Sequence, residues 1–544
     1  MTPHAVLGTI FQQICDACGS SAVSANSGGV DLLSFGPMGQ ETEFKFIGNE
    51  DALERLRQSP ALQRLAREQP RERTLHAVYF DTDSAALRKA GIVFRVRTDG
   101  KVFVQTIKSA GANVATRVEV KAEVESQAPN LRAIPDKGLK KRIAKEIGRA
   151  KLKPVFAVDM RRTTLMLSPK RGTEIEAAFD VGTISCGETR LPVCEFELEL
   201  VKGDARALIA CARELTAEAP LTLALCSKSE RGYALATNWV EAPATAERLI
   251  LPAKATADEA FGRIVGHCLR HFLGNWTAVT VRRDPEGVHQ MRVALRRLRS
   301  AFVLFGGPFR SAMEELEGEI RWIAHILGGA RDLDVFEEEV FRPAAEAHGE
   351  DERLNELSAL VGARRAVAWQ ALLDALDSAR FRRLVFELAA ATLSRPWCDP
   401  LAGGEKATVR AARFARRRLT KRYKRVQELG AKVAELDAKR RHELRLMLKK
   451  LRYAVEFFAS LFSEKETTRF LKRVAALQEV LGQMNDAAFS RALVADIMKG
   501  DDATAGVRYA AGVVEGWHLG HLKDRAAQLK RRWRRLEASP SPWA

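Results

Sequence analysis

Charged and apolar residues alternate with a period of two through much of the first 235 residues. In Glu41-Thr42-Glu43-Phe44-Lys45-Phe46, a strand turns Glu41, Glu43 and Lys45 to one face and Phe44 and Phe46 to the other. The pattern returns downstream. Arg95 and Arg97 alternate with Phe94 and Val96, and Thr106 shares a parity with Lys108. Arg117, Glu119 and Lys121 oppose Val118 and Val120; Glu174, Glu176 and Asp180 share a parity; Glu195, Glu197 and Glu199 alternate with Phe196, Leu198 and Leu200. An antiparallel sheet with one wet face gives some of this. Dense charge of both signs on one face of nearly every strand predicts instead a closed sheet, with a charged interior and apolar outer faces under helices.

The same pattern predicts strands at 41–46, 75–81, 92–98, 101–108, 115–124, 156–167, 173–184 and 192–201, with a hairpin closed by Asp99-Gly100. Leu53, Leu56, Leu62 and Leu65 place one amphipathic helix over 50–68, and 202–215 is helical. Residues 221–233 give no clear assignment. Residues 1–37, rich in Ser and Gly and free of Lys and Arg, are expected to be disordered, with Met38 an alternative start. Residues 239–256 are expected as a linker, and helical periodicity dominates beyond it. The second domain is expected over 257–535, in repeats of about 257–395 and 405–535, with a tail at 536–544.

Composition sharpens this picture. A chain of 544 residues exceeds one hydrophobic core. Its net charge is +18, of which +14 falls in residues 251–544, with 52 Lys+Arg against 38 Asp+Glu. That excess points to polyanionic partners. No apolar run approaches a membrane span and no secretory leader is evident, so a cytoplasmic protein without membrane association is expected. Eight scattered cysteines suit a reducing compartment, and Cys15-x-x-Cys18 stands without further metal-ligand residues. A face rich in both acids and bases suits a phosphate ester or anhydride with a divalent cation. Carboxylates hold hard cations, while Arg and Lys neutralise phosphate oxygens.

The blocks Glu41-Thr42-Glu43-Phe44-Lys45, Tyr79-Phe80-Asp81-Thr82, Phe94-Arg95-Val96-Arg97, Gln105-Thr106-Ile107-Lys108, Arg117-Val118-Glu119, Glu195–Leu200 and Ser227-Lys228-Ser229-Glu230-Arg231-Gly232-Tyr233 follow in order over about 200 residues. They resemble the CYTH superfamily, the triphosphate tunnel metalloenzymes. The resemblance implies an α+β domain over 38–238, built on an eight-stranded antiparallel tunnel that cleaves triphosphates with Mg²⁺ or Mn²⁺. It implies that Glu41, Glu43, Glu195, Glu197 and Glu199 hold metal. It implies that Lys45, Arg95, Arg97, Lys108, Arg117, Lys228 and Arg231 hold phosphate, with whichever of the adjacent Arg161 and Arg162 points inward. Glu119, Asp180 and Lys45 take the catalytic positions. Glu199, Glu176 and Arg231 also suit plain ion pairs at the tunnel mouth.

The second half repeats internally. His289-Gln-Met-Arg292-Val-Ala-Leu-Arg296-Arg297-Leu-Arg299 recurs 153 residues later as His442-Glu-Leu-Arg445-Leu-Met-Leu-Lys449-Lys450-Leu-Arg452. Leu327-Gly328-Gly-Ala-Arg331-Asp332 recurs after 154 residues as Leu481-Gly482-Gln-Met-Asn485-Asp486. Helical spacing gathers His289, Arg292, Arg296 and Arg299 into one stripe, and His442, Arg445, Lys449 and Arg452 into its twin. Residues 405–453 hold 18 Lys+Arg against five acids, Arg417 and Lys421 among them. The stripes resemble the CHAD domain, an all-α bundle with two internal repeats that is associated with inorganic polyphosphate. The resemblance implies that these residues bind polyphosphate and that the protein works at polyphosphate granules. The copies differ where Ser300-Ala301 replaces Tyr453-Ala454 and Gly329-Ala-Arg331 replaces Gln483-Met-Asn485.

The combined reading is an inorganic triphosphatase with a polyphosphate-binding helical half. The alternatives are a CYTH enzyme acting on thiamine triphosphate or ATP, a non-catalytic polyphosphate-binding protein, and a nucleic-acid binder. The last lacks interleaved aromatics for base stacking.

Overall fold

The computed structural model describes residues 42–100, 102–110, 117–224, 227–237, 243–398, 409–497, 504–520 and 525–544. The expectations for 1–37 and for Glu41 fall outside them. By contact the chain divides into two compact units.

The first unit takes Met1–Ala244, Leu273–Asp284 and Asp377–Ser394. Its frame is one antiparallel sheet of nine strands: β1 (Glu43–Ile47), β2 (Arg71–Asp81), β3 (Ile92–Asp99), β4 (Val102–Ala110), β5 (Arg117–Val124), β6 (Lys153–Leu167), β7 (Glu174–Cys186), β8 (Thr189–Lys202) and the two-residue β9 (Thr222–Leu223). The order is β5-β4-β3-β2-β6-β7-β8-β1-β9. The eight expected strands are all present. The sheet reverses at Gly100 and Gly187, whose φ angles of 62° and 57° suit glycine in tight hairpins.

Cross-strand partners share a face, so register decides what points inward. Lys45 pairs with Glu197 and Glu43 with Glu199; Glu195 pairs with Asp180, and Asp180 with Arg162. Through β2 the same face continues to Arg97 and Arg95, opposite Ala77 and Tyr79, and on to Thr106 and Lys121. The opposite face is apolar and covered. Phe80, Phe94, Val96 and Ile107 pack against Leu87 of a short helix, α3 below, and against Leu139 and Ile143 of α4.

One helix was expected over 50–68; two form there, α1 (Glu50–Arg57) and α2 (Pro60–Leu65). Pro60 cannot donate within a continuing helix, and Ser59 caps the new start by accepting from the Leu62 amide at 3.2 Å. Farther on come α3 (Ala86–Lys89), α4 (Lys137–Ile147) and α5 (Ala205–Glu218). The unassigned 221–233 stretch divides into β9 and the start of α6 (Lys228–Thr237). Ser227 and Glu230 cap α6 reciprocally: the Ser227 amide donates to the Glu230 carboxylate at 2.7 Å, and the Glu230 amide donates to the Ser227 hydroxyl at 3.2 Å. Tyr233 and Leu235 of α6 fill one stretch of the inward face, against Leu75, Ala77, Tyr79, Phe156, Val158 and Ile184. A second cover comes from the helix Ala379–Ser394, whose Phe386 lies 5.4 Å from Phe44 and 6.0 Å from Phe46, ring centre to ring centre.

The second unit takes Thr245–Phe272, Pro285–Leu376 and Arg395–Ala544. Its main helices are α7 (Ala257–Leu273), α8 (Pro285–Phe305), α9 (Glu314–Val335), α10 (Glu352–Asp377), α11 (Ala411–Gly430), α12 (Ala438–Phe458), α13 (Glu464–Ile497), α14 (Ala505–Gly520) and α15 (Arg525–Glu537). The repeat is visible in the packing. Arg292 of α8 donates to the Gly328 carbonyl of α9 at 2.8 Å, and a Cβ on Gly328 would lie 3.5 Å from that guanidinium. In the second copy a Cβ on Gly482 of α13 would lie 3.6 Å from Arg445 of α12. The two copies meet where buried Arg297 of α8 contacts Glu456 of α12 and lies over the rings of Tyr453 and Phe457. Near the end of the chain, Trp543 is buried against Phe470 and Tyr423.

Candidate functional site

In the sheet unit the inward charges converge on Asp180, Glu195 and Glu197. All three are buried, and each offers an oxygen within 4.8 Å of the others. Alternation along β7 and β8 put these carboxylates on one face, and antiparallel pairing set Asp180 directly opposite Glu195.

Four cations surround the trio. Arg162 grips Asp180 in fork geometry at 2.7 and 2.6 Å and reaches Glu197 at 2.8 Å. Lys228, from the first turn of α6, contacts Glu195 and lies 2.8 Å from Asp180 and 3.1 Å from Glu197. Arg231, one helical turn on, contacts Glu195. Lys45 bridges Glu43 and Glu197 at 3.1 and 3.2 Å. With Glu43 the group holds four carboxylates and four cations, a net charge of zero.

The titration behaviour follows. Burial alone would push the Glu197 carboxyl up, but Lys228, Lys45 and Arg162 hold it well below the usual carboxylate range. Burial alone would lower the Lys228 ammonium, but Glu197 and Asp180 raise it. Lys45 behaves likewise with Glu197 and Glu43. Burial pulls the Arg231 guanidinium down to about 10, which leaves it charged at neutral pH.

Helix α6 presents Lys228 and Arg231 because it lies flat on the sheet. Gly232 makes that approach possible: a Cβ there would stand 2.1 Å from the Phe156 ring. Tyr233 donates to the buried Asp81 carboxylate at 2.9 Å, and Asp81 also accepts from the amides of Leu87 and Arg88, each at 2.9 Å. The Tyr-Phe-Asp-Thr block thus holds α3 and α6 to the sheet.

Among the other expected residues, Arg162 faces inward. Arg161 points to the opposite face, 3.9 Å from Glu72. Glu199 stands opposite Glu43 and Glu176 at one end of the inward face. Arg95 and Arg97 are half-buried on that face. Register sets Lys108 opposite Glu119 and Arg117 opposite Ala110; their side chains lie outside the description. The structure adds Lys121 to the inward face, a position whose parity with Arg117 and Glu119 was visible in the sequence.

The donor set fits a hard divalent cation. Three buried carboxylates with converging oxygens are the ligand type that hard divalent cations take. Asp180 belongs with Glu195 and Glu197 in that set.

The helical unit holds a second constellation. A cavity of about 830 Å³ is lined by His289 and Arg296 of α8, Lys449 and Arg452 of α12, and Arg297 between them. Four of the ten residues expected to bind polyphosphate therefore meet in one cleft, drawn from both repeats. Arg296 Nε is buried there without a hydrogen-bond partner among the described residues. Burial pushes the His289 imidazole down to about 4, helped by Arg331, Arg296 and Arg292 against the pull of Glu286, so it is neutral at pH 7. The other six are not lining residues of this cleft. Arg292 is bound to Gly328 and Asp332, Arg445 lies against Gly482, and Arg299, His442 and Arg417 are exposed. Lys421 lines a different cavity. Arg297 was missed because a basic residue off the stripe reads as an ordinary surface position.

Residues 39–233 match the model of the CYTH domain and residues 263–495 that of the CHAD domain. An inorganic triphosphatase of Haemophilus influenzae is 28% identical over 171 residues, which are 30% of this chain and 47% of that protein. The match thus spans about half the length of that curated relative. Among solved structures, the CHAD domain from the plant Ricinus communis is 34% identical, covering 56% of this chain and 99% of that one, with a TM-score of 0.49. PptA from Streptomyces chartreusis is 16% identical, covering 52% and 100%, with a TM-score of 0.39. Among the described residues no helix is long and apolar enough to cross a membrane.

Proposed function

We propose that this chain, a CYTH domain followed by a CHAD domain, hydrolyses inorganic triphosphate to pyrophosphate and phosphate, and that its helical half binds long-chain inorganic polyphosphate. The observation that carries the first part is the buried Asp180–Glu195–Glu197 trio set among Arg162, Lys228, Arg231 and Lys45. A site meant only to grip phosphate has no use for three buried carboxylates, each costly to desolvate. The likeness to an inorganic triphosphatase supports the substrate class.

Asp180, Glu195 and Glu197 would hold Mg²⁺ or Mn²⁺, with Glu43 and Glu199 beside them; the sequence resemblance adds Glu41, which lies outside the described residues. When bound, the metal supplies positive charge to the triphosphate oxygens and lowers the pKa of a coordinated water. The protein's own cations do the positioning. Arg95 and Arg97 offer planar forks to phosphate oxygens, and Lys45, Arg162, Lys228 and Arg231 offer charge from β1, β6 and α6. Hydrolysis adds water at the terminal phosphorus and breaks its bond to the bridging oxygen, releasing pyrophosphate. Glu119, on the same face by register, is our acceptor for the proton of that water; Asp180 holds Arg162 and Lys228 in place.

In the helical half the cleft of His289, Arg296, Lys449 and Arg452 is the proposed polyphosphate surface, which would place the protein in the cytoplasm at polyphosphate granules. Its support is the concentration of cations from two repeats around a buried Arg296 Nε that has no hydrogen-bond partner among the described residues. The test is phosphate release from tripolyphosphate, ATP, thiamine triphosphate and long-chain polyphosphate, with Mg²⁺ and then Mn²⁺. Rapid metal-dependent release from tripolyphosphate is expected. Faster turnover of ATP or thiamine triphosphate would replace the substrate, and no turnover with intact binding would make the protein a polyphosphate binder.

A further inference from the structure

A second cavity of about 950 Å³ lies in the helical unit, walled chiefly by α11, α12 and the 431–437 turn between them. Seven cations line it: Arg418, Lys421, Arg422, Arg425, Lys432, Arg440 and Lys450. It is separate from the cleft described above. Residues Arg440, Glu443, Met447 and Lys450 of α12 face this cavity, while Lys449 and Arg452 line the other. The two sets are offset by two residues, about 200° around the helix, so one helix serves two cavities with opposite faces.

All of them but Arg440 make no ion pair with any described residue. Arg422 is half-buried and donates to the Lys450 carbonyl at 3.0 Å, and Arg418 donates to the Phe305 carbonyl at 2.8 Å. Four carboxylates also line the cavity, but two are occupied: Asp437 caps α12 through the Arg440 amide at 2.7 Å, and Glu443 lies 3.7 Å from the Arg440 guanidinium. Glu428 and Glu435 are exposed. Burial, with Arg418 and Arg425 alongside, pulls Arg422 down to about 10. A half-buried guanidinium among like charges is held at a cost that an anion would relieve.

We propose that this groove is a second anion site that takes a compact inorganic oligophosphate, with Arg422 as its anchor. Arg forks and lysine points match phosphate oxygens. Among the described residues the lining carries no aromatic side chain to stack on a base, which favours an inorganic chain over a nucleotide. The site stands whether or not the tunnel turns over triphosphate.

Lysine acetylation read by mass spectrometry tests it on the full chain, in EDTA so that metal-dependent turnover cannot consume the probe. With inorganic tripolyphosphate, Lys421, Lys432 and Lys450 should become at least threefold less reactive. Lys424 and Lys439, exposed but outside the lining, should not change. Arg422→Gln should raise the tripolyphosphate concentration for half-protection tenfold or more, and the exposed Arg425→Gln severalfold, each with native melting behaviour. Equal protection of Lys424, equal protection by sulfate at matched ionic strength, or unchanged protection in both natively melting variants would overturn the site. Protection by long-chain polyphosphate but not by tripolyphosphate would overturn the compact-ligand assignment.

Discussion

Glu197 receives more charge than any other single carboxylate of the trio, from Lys45, Arg162 and Lys228 together. Replacing it with Gln keeps the shape and strands three cations. Breaking such a buried set typically costs about 3–5 kcal/mol, and the retained amide should limit the loss to the lower end. Glu197→Gln should therefore melt lower and lose metal-dependent phosphate release by about a hundredfold or more, measured by calorimetry and a phosphate assay. Strand parity put Glu197 on the charged face, and the CYTH resemblance implied its role there. The inward choice of Arg162 over Arg161 was not legible, because adjacent residues alternate faces and only the β6–β7 register fixes which is which. A second single-residue consequence lies at His267 in α7. Burial, with Arg297, Arg270 and His271 nearby, pushes its imidazole down to about 3, against an ordinary 6.5. The unfolded chain takes up that proton near pH 6.5 and the folded one only near pH 3. Below pH 6.5 the unfolded state binds more protons, so stability drops as the pH falls, by at most about 5 kcal/mol from this residue. His267→Gln should flatten that part of the pH–stability curve of the helical unit, measured by urea denaturation between pH 7 and 4.

At the scale of elements, α6 is where sequence pattern was silent and structure decisive. Lys228–Thr237 has a weakly patterned sequence, because one side meets Phe156 and Ile184 while Lys228 and Arg231 enter a charged space. Such a helix is buried on apolar and ionic contacts together, and neither period-of-four hydrophobicity nor a polar face can announce it. Its fit rests on Gly232. Gly232→Ala should force α6 away from Phe156, costing about 1–3 kcal/mol by overpacking. It should also draw Lys228 and Arg231 off the carboxylates and cut kcat. Tyr233→Phe serves as comparator: it removes the bond to Asp81 and keeps the ring, so it should lower the melting temperature with a smaller effect on kcat. Equal kcat in Gly232→Ala and the parent would mean that α6 supplies no catalytic cation. The split of 50–68 at Pro60 has a simpler cause, since a proline after a capping serine restarts a helix that leucine spacing alone would continue.

For the whole molecule, the two charge systems differ in kind, and that difference predicts how they respond to salt and to substitution. The sheet unit balances four carboxylates against four cations within hydrogen-bond distances, so its interior is largely insulated from added salt. The helical cleft instead combines cations from both repeats around a cavity, and flexible polyanions that fill such surfaces displace counterions. The repeat was plain in the sequence, as two stripes 153 residues apart. Which stripe members share a cleft was not, since that depends on how α8 meets α12 through Arg297 and Glu456. Arg296→Gln and Lys449→Gln should therefore each weaken long-chain polyphosphate binding and lower the slope of log affinity against log salt by about 0.7. Both should leave tripolyphosphate turnover unchanged. Glu195→Gln with Glu197→Gln should do the reverse, abolishing turnover while polyphosphate affinity and its salt slope stay at the parent values. Filter binding across a salt series, paired with phosphate release on the same preparations, separates the outcomes. If stripe variants lost turnover of the short substrate, or carboxylate variants lost the long chain, one set of residues would be serving both tasks, and the division of chemistry from docking would fall.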